Sequence, residues 1–344
     1  MLRSLYSGIS GMKVNQTKLD VIGNNIANVG TTSFKTARVR FQDMLSQNAS
    51  LALGPGLNQG GVNPRQIGLG VQIAGIDTIV SQGNMQPTGR NLDAAIDGDG
   101  YFMVGIGKFP EDNSKGVTIS DGTADGETIG EIKESNGMTI QYTRDGSFTL
   151  DEKGNLLTSD GYRVLGYAIL KGTTDGSESI KYEAGVPKVN IVDLNDGTEA
   201  NKPTAGKTLV PLQIPDTIGT QRVKTFSIGK DGVISAVLDD GKVTALGQIA
   251  TASFKNPAGL TKNGKNLYDR SANSGEPIVR SGLNAAKDNS KGYGDMLQGM
   301  LEMSNVDLAE QFTEMIVTSR AFQANSKTIS TGDEILQEIL NLKR

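Results

Sequence analysis

Two short runs carry carboxylates at spacings an oxygen-ligated cation could use: Asp97-Gly98-Asp99-Gly100 and Asp121-Gly122-Thr123-Ala124-Asp125-Gly126. Both resemble the opening of a calcium loop, because that hard ion takes carboxylate and carbonyl oxygens. The second run, however, has Ile132 where such a loop needs its bidentate glutamate, and no helical pattern flanks it. Asp-Gly is also a strong hairpin signal, so turns are the simpler account of both. The pairs Gly68-Leu69-Gly70 and Gly105-Ile106-Gly107 lack the third glycine and the strand–helix context of a dinucleotide-binding loop. Asn48-Ala49-Ser50 is a glycosylation triplet that carries meaning only on a secretory route. Histidine and cysteine are both absent. Their absence removes thiolate and imidazole metal sites, cysteine nucleophiles, histidine-based triads and disulfides together. Neither a carboxylate pair placed for acid–base work nor a serine beside a base stands out. The residues make no case for an enzyme, a cofactor or a metal.

Composition narrows the class further. The formal charge of −4 lacks the basic footprint that nucleic-acid binding requires. Aromatic residues make up 5% of the chain and tryptophan is absent, which disfavours aromatic-lined pockets. Glycine supplies 44 of 344 residues, nearly double its usual share. Residues 1–12 contain no uninterrupted apolar stretch and no small-residue cleavage site, so a cleaved secretory signal is not expected. No run approaches 18 consecutive apolar residues, and no membrane span is expected.

The strongest pattern is structural. Leu301, Leu308, Met315, Phe322, Ile329 and Leu336 recur every seven residues near the C-terminus. Near the N-terminus, Leu2, Leu5, Ile9 and Met12 step by three and four, and Leu19, Ile22, Ile26 and Val29 repeat the pattern. Such repeats hold apolar side chains on one helical seam suited to coiled-coil contact. The C-terminal helix is expected from about Asn305 to Leu342, roughly 57 Å at 1.5 Å per residue. Ser304 followed by Asp307 reads as its capping box, and Gly332 as a weak point or bend. Residues 1–35 carry a side-chain surplus of positive charge and residues 300–344 a surplus of negative charge, favouring unlike over like pairing. Six buried heptad residues would contribute roughly 9–18 kcal/mol, a seam an isolated monomer cannot cover.

Between the termini, ten Asp-Gly pairs from Asp97-Gly98 to Asp240-Gly241 punctuate short apolar runs, the pattern of β-hairpins. The fold class expected is α+β: terminal helices forming a coiled-coil-like layer, with two nested, mainly antiparallel β domains. Residues 1–35 form the first helix of an inner core and 36–70 an irregular connector containing Gly54-Pro55-Gly56. Residues 71–167 and 247–292 form a discontinuous β domain, 168–246 a β domain inserted into it, and 293–344 the second core helix. Tyr167 and Gly247 should then lie side by side.

Asp20-Val21-Ile22-Gly23-Asn24-Asn25-Ile26-Ala27-Asn28, followed by Thr31, Thr32, Ser33, Phe34 and Lys35, closely resembles the N-terminal motif of bacterial flagellar rod and hook proteins. Ser304-Asn305-Val306-Asp307-Leu308 and Arg320-Ala321-Phe322-Gln323-Ala324-Asn325-Ser326-Lys327 resemble the C-terminal signature of that family. Thr88 to Ile96 before Gly100-Tyr101-Phe102, and Tyr142-Thr143-Arg144-Asp145-Gly146-Ser147-Phe148, extend the likeness into the β body. It covers nearly the whole chain except residues 168–246 and the acidic loop 108–137.

The resemblance implies an axial subunit exported through the flagellar type III apparatus and polymerising outside the cell in an open-ended helical homopolymer. Terminal helices would form the inner tube around a channel, with β domains as outer shells. The sizeable domain at 168–246 points within the family toward the hook, a curved universal joint, while the long connector is the feature shared with the distal rod. Rod, hook cap and hook–filament junction proteins would be its partners. Asn24, Asn25, Ala27, Asn28, Phe34 and Lys35 would be its motif residues. Phe41-Gln42-Asp43-Met44-Leu45 looks like the Phe-x-x-x-apolar signal of early export substrates, carried by Phe41 and Leu45; an ordinary amphipathic turn accounts for it equally well. A coiled-coil homodimer with a β-rich binding head, and an enzyme built on the β body, are the other classes.

Overall fold

A computed structural model describes residues 2–54, 60–113, 116–124, 127–134, 137–171, 178–183, 185–192, 203–280 and 294–342. Pro55-Gly56, Asp125-Gly126, Asp175-Gly176, Asp196-Gly197, Lys343, Arg344 and the side chain of Leu2 lie outside them. The chain divides into two compact units: residues 1–81 with 304–344, and residues 82–303.

The first unit is built on two helices, α1 (Leu2–Ala27) and α2 (Leu308–Leu342). Neither contains proline, and the apolar steps of three and four give each a face to bury. At 35 residues α2 is about 53 Å long. It begins three residues later than its apolar pattern suggests. The Asp307 carboxylate accepts hydrogen bonds from the N–H groups of Ala309 (2.8 Å) and Glu310 (3.3 Å), making Asp307 the N-cap. Ser304, expected to open a capping box, accepts only from Val306 N–H at 3.3 Å. Leu301 is therefore not on the helix. It sits in the strand Met300–Glu302, paired with Met85–Pro87. A seven-residue interval is compatible with a helix but does not say where the helix begins.

Residues 36–70 are not irregular. Strand Ala37–Asp43 pairs antiparallel with Val71–Thr78, and Ser46–Ser50 pairs with Arg65–Gly68. Leu53 and Val62 are bonded beyond them, N–H to O at 3.0 and 2.9 Å. Together these make a long two-stranded ribbon whose outer part is exposed on both strands. Ser46-Gln47-Asn48-Ala49-Ser50 has no apolar alternation, which is why composition alone reads it as loop. Val71–Thr78 accordingly belongs with the helices instead of opening the β body.

The second unit carries a 16-stranded antiparallel sheet. Its main path runs Thr217–Ile218, Gln221–Ile228, Val233–Leu238, Val243–Ile249, Arg163–Lys171, Tyr101–Ile106, Thr139–Thr143, Leu267–Asp269, Thr261–Gly264. The three strands between Gln221 and Ile249 form the meander expected from Asp231-Gly232 and Asp240-Gly241. Tyr167 pairs with Gln248. One apolar core includes Phe102, Val104, Phe148, Leu156 and Val164 along with Ile180, Val210, Leu212, Ile234 and Leu246. Leu212 N–H bonds to Val164 O and Leu156 N–H to Leu212 O, both at 3.0 Å. The acidic segment near 108–137 holds a hairpin, Val117–Ala124 with Glu127–Glu134, so Asp121-Gly122 lies within a strand and not at its turn.

Candidate assembly surface

The two helices meet along a seam with two rows. On α2, Met315, Phe322, Ile329 and Leu336 are half-buried, and Leu308 is exposed. Between them fall Gln311, Thr318, Asn325 and Gly332, each at the intervening helical step. Gln311 and Thr318 are the buried residues of α2. The apolar heptad is thus half of the seam, and the other half is polar or small. Apolar periodicity does not reveal that row, since amides and glycine do not register in it.

Small residues on α1 face this row. A Cβ added at Gly11 would lie 2.6 Å from the side-chain nitrogen of Asn325, and one at Gly8 would lie 3.2 Å from Ile329. From the other side, a Cβ on Gly332 would lie 2.9 Å from Leu5. Gly332 is therefore a close-approach residue, and the helix runs through it without interruption. Of the α1 positions, Val14 and Ile22 are buried, and Leu5, Met12, Leu19 and Ile26 are half-buried, as is Val29 in the turn beyond the helix. Ile9 is exposed. Lys18 meets Glu314 at 3.5 Å, a partly exposed pair worth at most about 1 kcal/mol.

The N-terminal motif residues converge on one knot. Asn25, 1% exposed, donates to Gln311 Oε1 (3.0 Å) and Ala37 O (2.9 Å) and accepts from Ala37 N–H (3.1 Å). It ties α1, α2 and the ribbon together. Asn28 closes the end of α1 by donating to Asn24 O and Oδ1, both at 2.9 Å, while Asn24 and Ala27 themselves face outward. Lys35 is buried, its ammonium donating to Ser81 O at 2.9 Å. Phe34 O accepts from Asn305 N–H (3.3 Å). Asn305 is a hub the heptad could not indicate: its Oδ1 accepts from Thr36 N–H (2.8 Å), and its Nδ2 donates to Ile79 O (2.9 Å) and Ser81 O (3.1 Å).

In the second unit the motif residues do the same. Arg144 and Glu302 form a buried pair at 3.1 Å. Arg144 also donates to Gly98 O (2.5 Å) and lies 5.5 Å from the centre of the Tyr101 ring. Glu302 accepts from Gly83 N–H at 2.9 Å. Burial pushes the Tyr101 hydroxyl up to about 12, with Arg144 pulling the other way. Gly146 packs under the backbone so closely that a Cβ would fall 1.6 Å from Ala94 O. Asp93 accepts from Thr88 Oγ1 at 2.6 Å and meets Arg90 at 3.5 Å. Asp97 receives Gln82 Nε2 at 3.1 Å. Among the described residues, no group of three acids stands close enough to hold a cation.

Outside the seam, large apolar side chains stay exposed. They include Tyr6 on α1; Phe312, Ile316, Val317, Ile335, Ile339, Leu340 and Leu342 on α2; and Met44, Leu45, Leu51, Leu53, Val62 and Ile67 on the ribbon. Phe41 and Leu45, the pair expected of an export signal, lie on the ribbon too; Phe41, opposite Ile73, and Leu45 are both exposed. Among the described residues no helix is long and apolar enough to cross a membrane.

Three family models match the chain. The flagella basal body rod protein family covers residues 5–35. The flagellar hook protein FlgE/F/G D1 domain covers residues 125–236, and the flagellar basal body rod FlgEFG protein C-terminal family covers 297–342. The D1 match takes in most of residues 168–246, which motif reading alone left unaligned. The flagellar basal-body rod protein FlgG of Bacillus subtilis is 45% identical over 344 residues, covering 100% of both chains. The flagellar hook protein FlgE of Borreliella burgdorferi is 33% identical over 448 residues, again covering 100% of both. The flagellar basal-body rod protein FlgG of the latter organism is also 33% identical, over 347 residues and 100% of both chains. These relatives are structural proteins, and none is an enzyme. The chain belongs to the flagellar hook and rod family of axial structural proteins.

Proposed function

We propose that this chain is the subunit of the flagellar hook: a structural protein that polymerises outside the cell into a curved tube, transmits torque and encloses the export channel. The observation that carries the polymer reading is the unfilled apolar surface of the helix unit. Two-stranded ribbons and lone helices are marginal by themselves, and exposed side chains such as Ile316 and Leu53 need a partner surface. Membership of the flagellar hook and rod family supports a partner within the flagellar axial structure. The hook reading is favoured by the large β unit, 82–303, which is compact by itself and carries its own apolar core. Its partners would be the rod below, the hook cap and hook–filament junction proteins above, and the type III export apparatus that passes the chain unfolded.

The distal rod is the second reading. The relative at 45% identity carries the rod protein's name, and the paired ribbon at 37–78 would stiffen a straight shaft. Deleting the gene and imaging the basal bodies separates them. Complete rods that end without a hook support the hook assignment, whereas truncated rods assign the chain to the rod.

A further inference from the structure

We propose that Asn263 is a site of covalent self-modification, where the side-chain amide is lost by cyclisation onto the Gly264 nitrogen and replaced by an aspartate or isoaspartate carboxylate. Strand Thr261–Gly264 ends the main path of the large sheet and is exposed along its whole length. It pairs on one side with Leu267–Asp269, and among the described residues no strand pairs on the other. The pairing passes from Lys262 with Tyr268 to Gly264 with Leu267. Asn263 is therefore the extra residue of a bulge, with no ladder partner of its own.

The surroundings leave the ring closure unobstructed. Glycine has no Cβ to crowd its own nitrogen, and a Cβ added at Gly264 would meet nothing within 4 Å. No hydrogen bond holds the Asn263 side chain among the described residues, and its exposure admits hydroxide and water. Other asparagines differ on each count. The amide of Asn305 donates to Ile79 O and Ser81 O, and that of Asn28 to Asn24 O. Asn25, Asn28 and Asn305 precede Ile26, Val29 and Val306, whose branched side chains crowd the attacking nitrogen. Asn256 precedes Pro257, which has no N–H to give up. The chain's other Asn-Gly pair is Asn136-Gly137, and Asn136 lies outside the described residues.

The chemistry needs only water. Hydroxide takes the proton of Gly264 N–H, and the nitrogen forms a bond to Asn263 Cγ. The Cγ–Nδ2 bond breaks, and the amide leaves as ammonia with a proton from water. Water then opens the succinimide ring. Attack at Cγ returns the normal chain with an aspartate, whereas attack at the main-chain carbonyl leaves Gly264 bonded to Cγ, an isoaspartate. Either product adds a negative charge where none stood. Isoaspartate also lengthens the main chain by one carbon, shifting Thr261 and Lys262 against Asp269 and Tyr268. Leu267 and Tyr268 are buried, and Tyr268 sits edge-on to Tyr101 at 5.6 Å. The body of the sheet therefore stays closed while its outermost strand loosens. No enzyme or partner chain takes part, so the proposal stands apart from the assembly reading.

The test is to age the folded full-length protein at neutral and mildly alkaline pH, digest it and map the peptides by mass. The peptide containing Asn263 should gain one mass unit, split into two chromatographic species and accept methyl groups from a protein isoaspartyl methyltransferase. Its conversion should rise with pH, since the attacking nitrogen must first lose its proton. Asn263→Gln, whose cyclisation requires a larger ring, should abolish it. Gly264→Ala is the poorer control, because φ at Gly264 is +80° and alanine would be strained there. Hydrogen exchange in the aged chain should quicken over Thr261–Gly264 and stay unchanged over Thr139–Thr143. An Asn263 that keeps its amide in folded protein, while the guanidinium-unfolded chain loses it, would overturn the proposal. So would conversion confined to Asn136, or a rate indifferent to pH.

Discussion

Asn25 connects three elements through one amide, and its removal leaves Ala37 N–H, Ala37 O and Gln311 Oε1 without that partner. Stranding buried polar groups costs roughly 1–3 kcal/mol each. Asn25→Ala should therefore lower stability by about 2–4 kcal/mol in urea unfolding of the full chain, whereas Asn24→Ala, at an outward-facing position, should change it by less than about 0.5 kcal/mol. Equal effects would show that the knot does not hold the helix unit. The tyrosines make a pH prediction. Burial raises the hydroxyls of Tyr101, Tyr142, Tyr182 and Tyr268, that of Tyr101 to about 12. A raised folded value means the neutral form is favoured in the native state. The stabilisation is fully present below pH 10 and is lost as pH rises through about 12. Ultraviolet titration should show these four tyrosines staying protonated above pH 10 until the protein unfolds; their ionisation near pH 10 in folded protein would contradict it. At this scale the sequence was partly readable. Asn25, Lys35 and Arg144 stand in recognisable motifs, but their partners Gln311, Ser81 and Glu302 lie 286, 46 and 158 residues away, and spacing along a chain cannot report such pairs.

Among the elements, α2 is supported unevenly. Its buried residues, Gln311 and Thr318, both fall in its first half. Amide exchange in the free subunit should accordingly be fast from Gly332 to Leu342 and slower around Gln311–Thr318, with the distal segment becoming protected on assembly. Strong protection of the distal segment in a verified monomer would refute this. The N-cap gives a second test. Asp307→Ala should cost about 1 kcal/mol of helix stability, while Ser304→Ala, outside the cap, should have a smaller effect on melting. Most element types were legible: both helices from their three-and-four steps, and the meander from its Asp-Gly turns. The ribbon was not, because polar Ser46–Ser50 lacks alternation and its stability comes from pairing with Arg65–Gly68. The start of α2 falls three residues later than expected because Asp307 is the N-cap, and Ser304 accepts from Val306 N–H outside the helix.

In the whole molecule, the apolar core of the β unit runs through the boundaries expected of an inserted domain. Tyr167 and Gln248 do pair, which favours a clean excision of 168–246. Yet Val210, Leu212 and Ile214 share one core with Phe148, Leu156 and Val164, and Leu212 bonds to both strands that would remain. Replacing 168–246 by a Gly/Ser linker should therefore abolish cooperative melting of the β unit. A variant with a sharp, near-native transition would instead establish 168–246 as an independent domain. Hydrophobic pattern could mark where strands pause and resume, but the sharing of a core by strands far apart in sequence is a property of the folded sheet.

The buried amide contact between Asn25 and Gln311 has a mechanical consequence. A seam made wholly of leucine-like residues repeats every seven positions, so a helix pulled along its axis could slip one repeat at a time at little cost. With an amide pair at one level, each slipped register would place Asn25 or Gln311 against a mismatched neighbour. Two helices pinned in this way resist slow creep under steady load. They hold their register until the pin breaks, and they recover it when the load is removed.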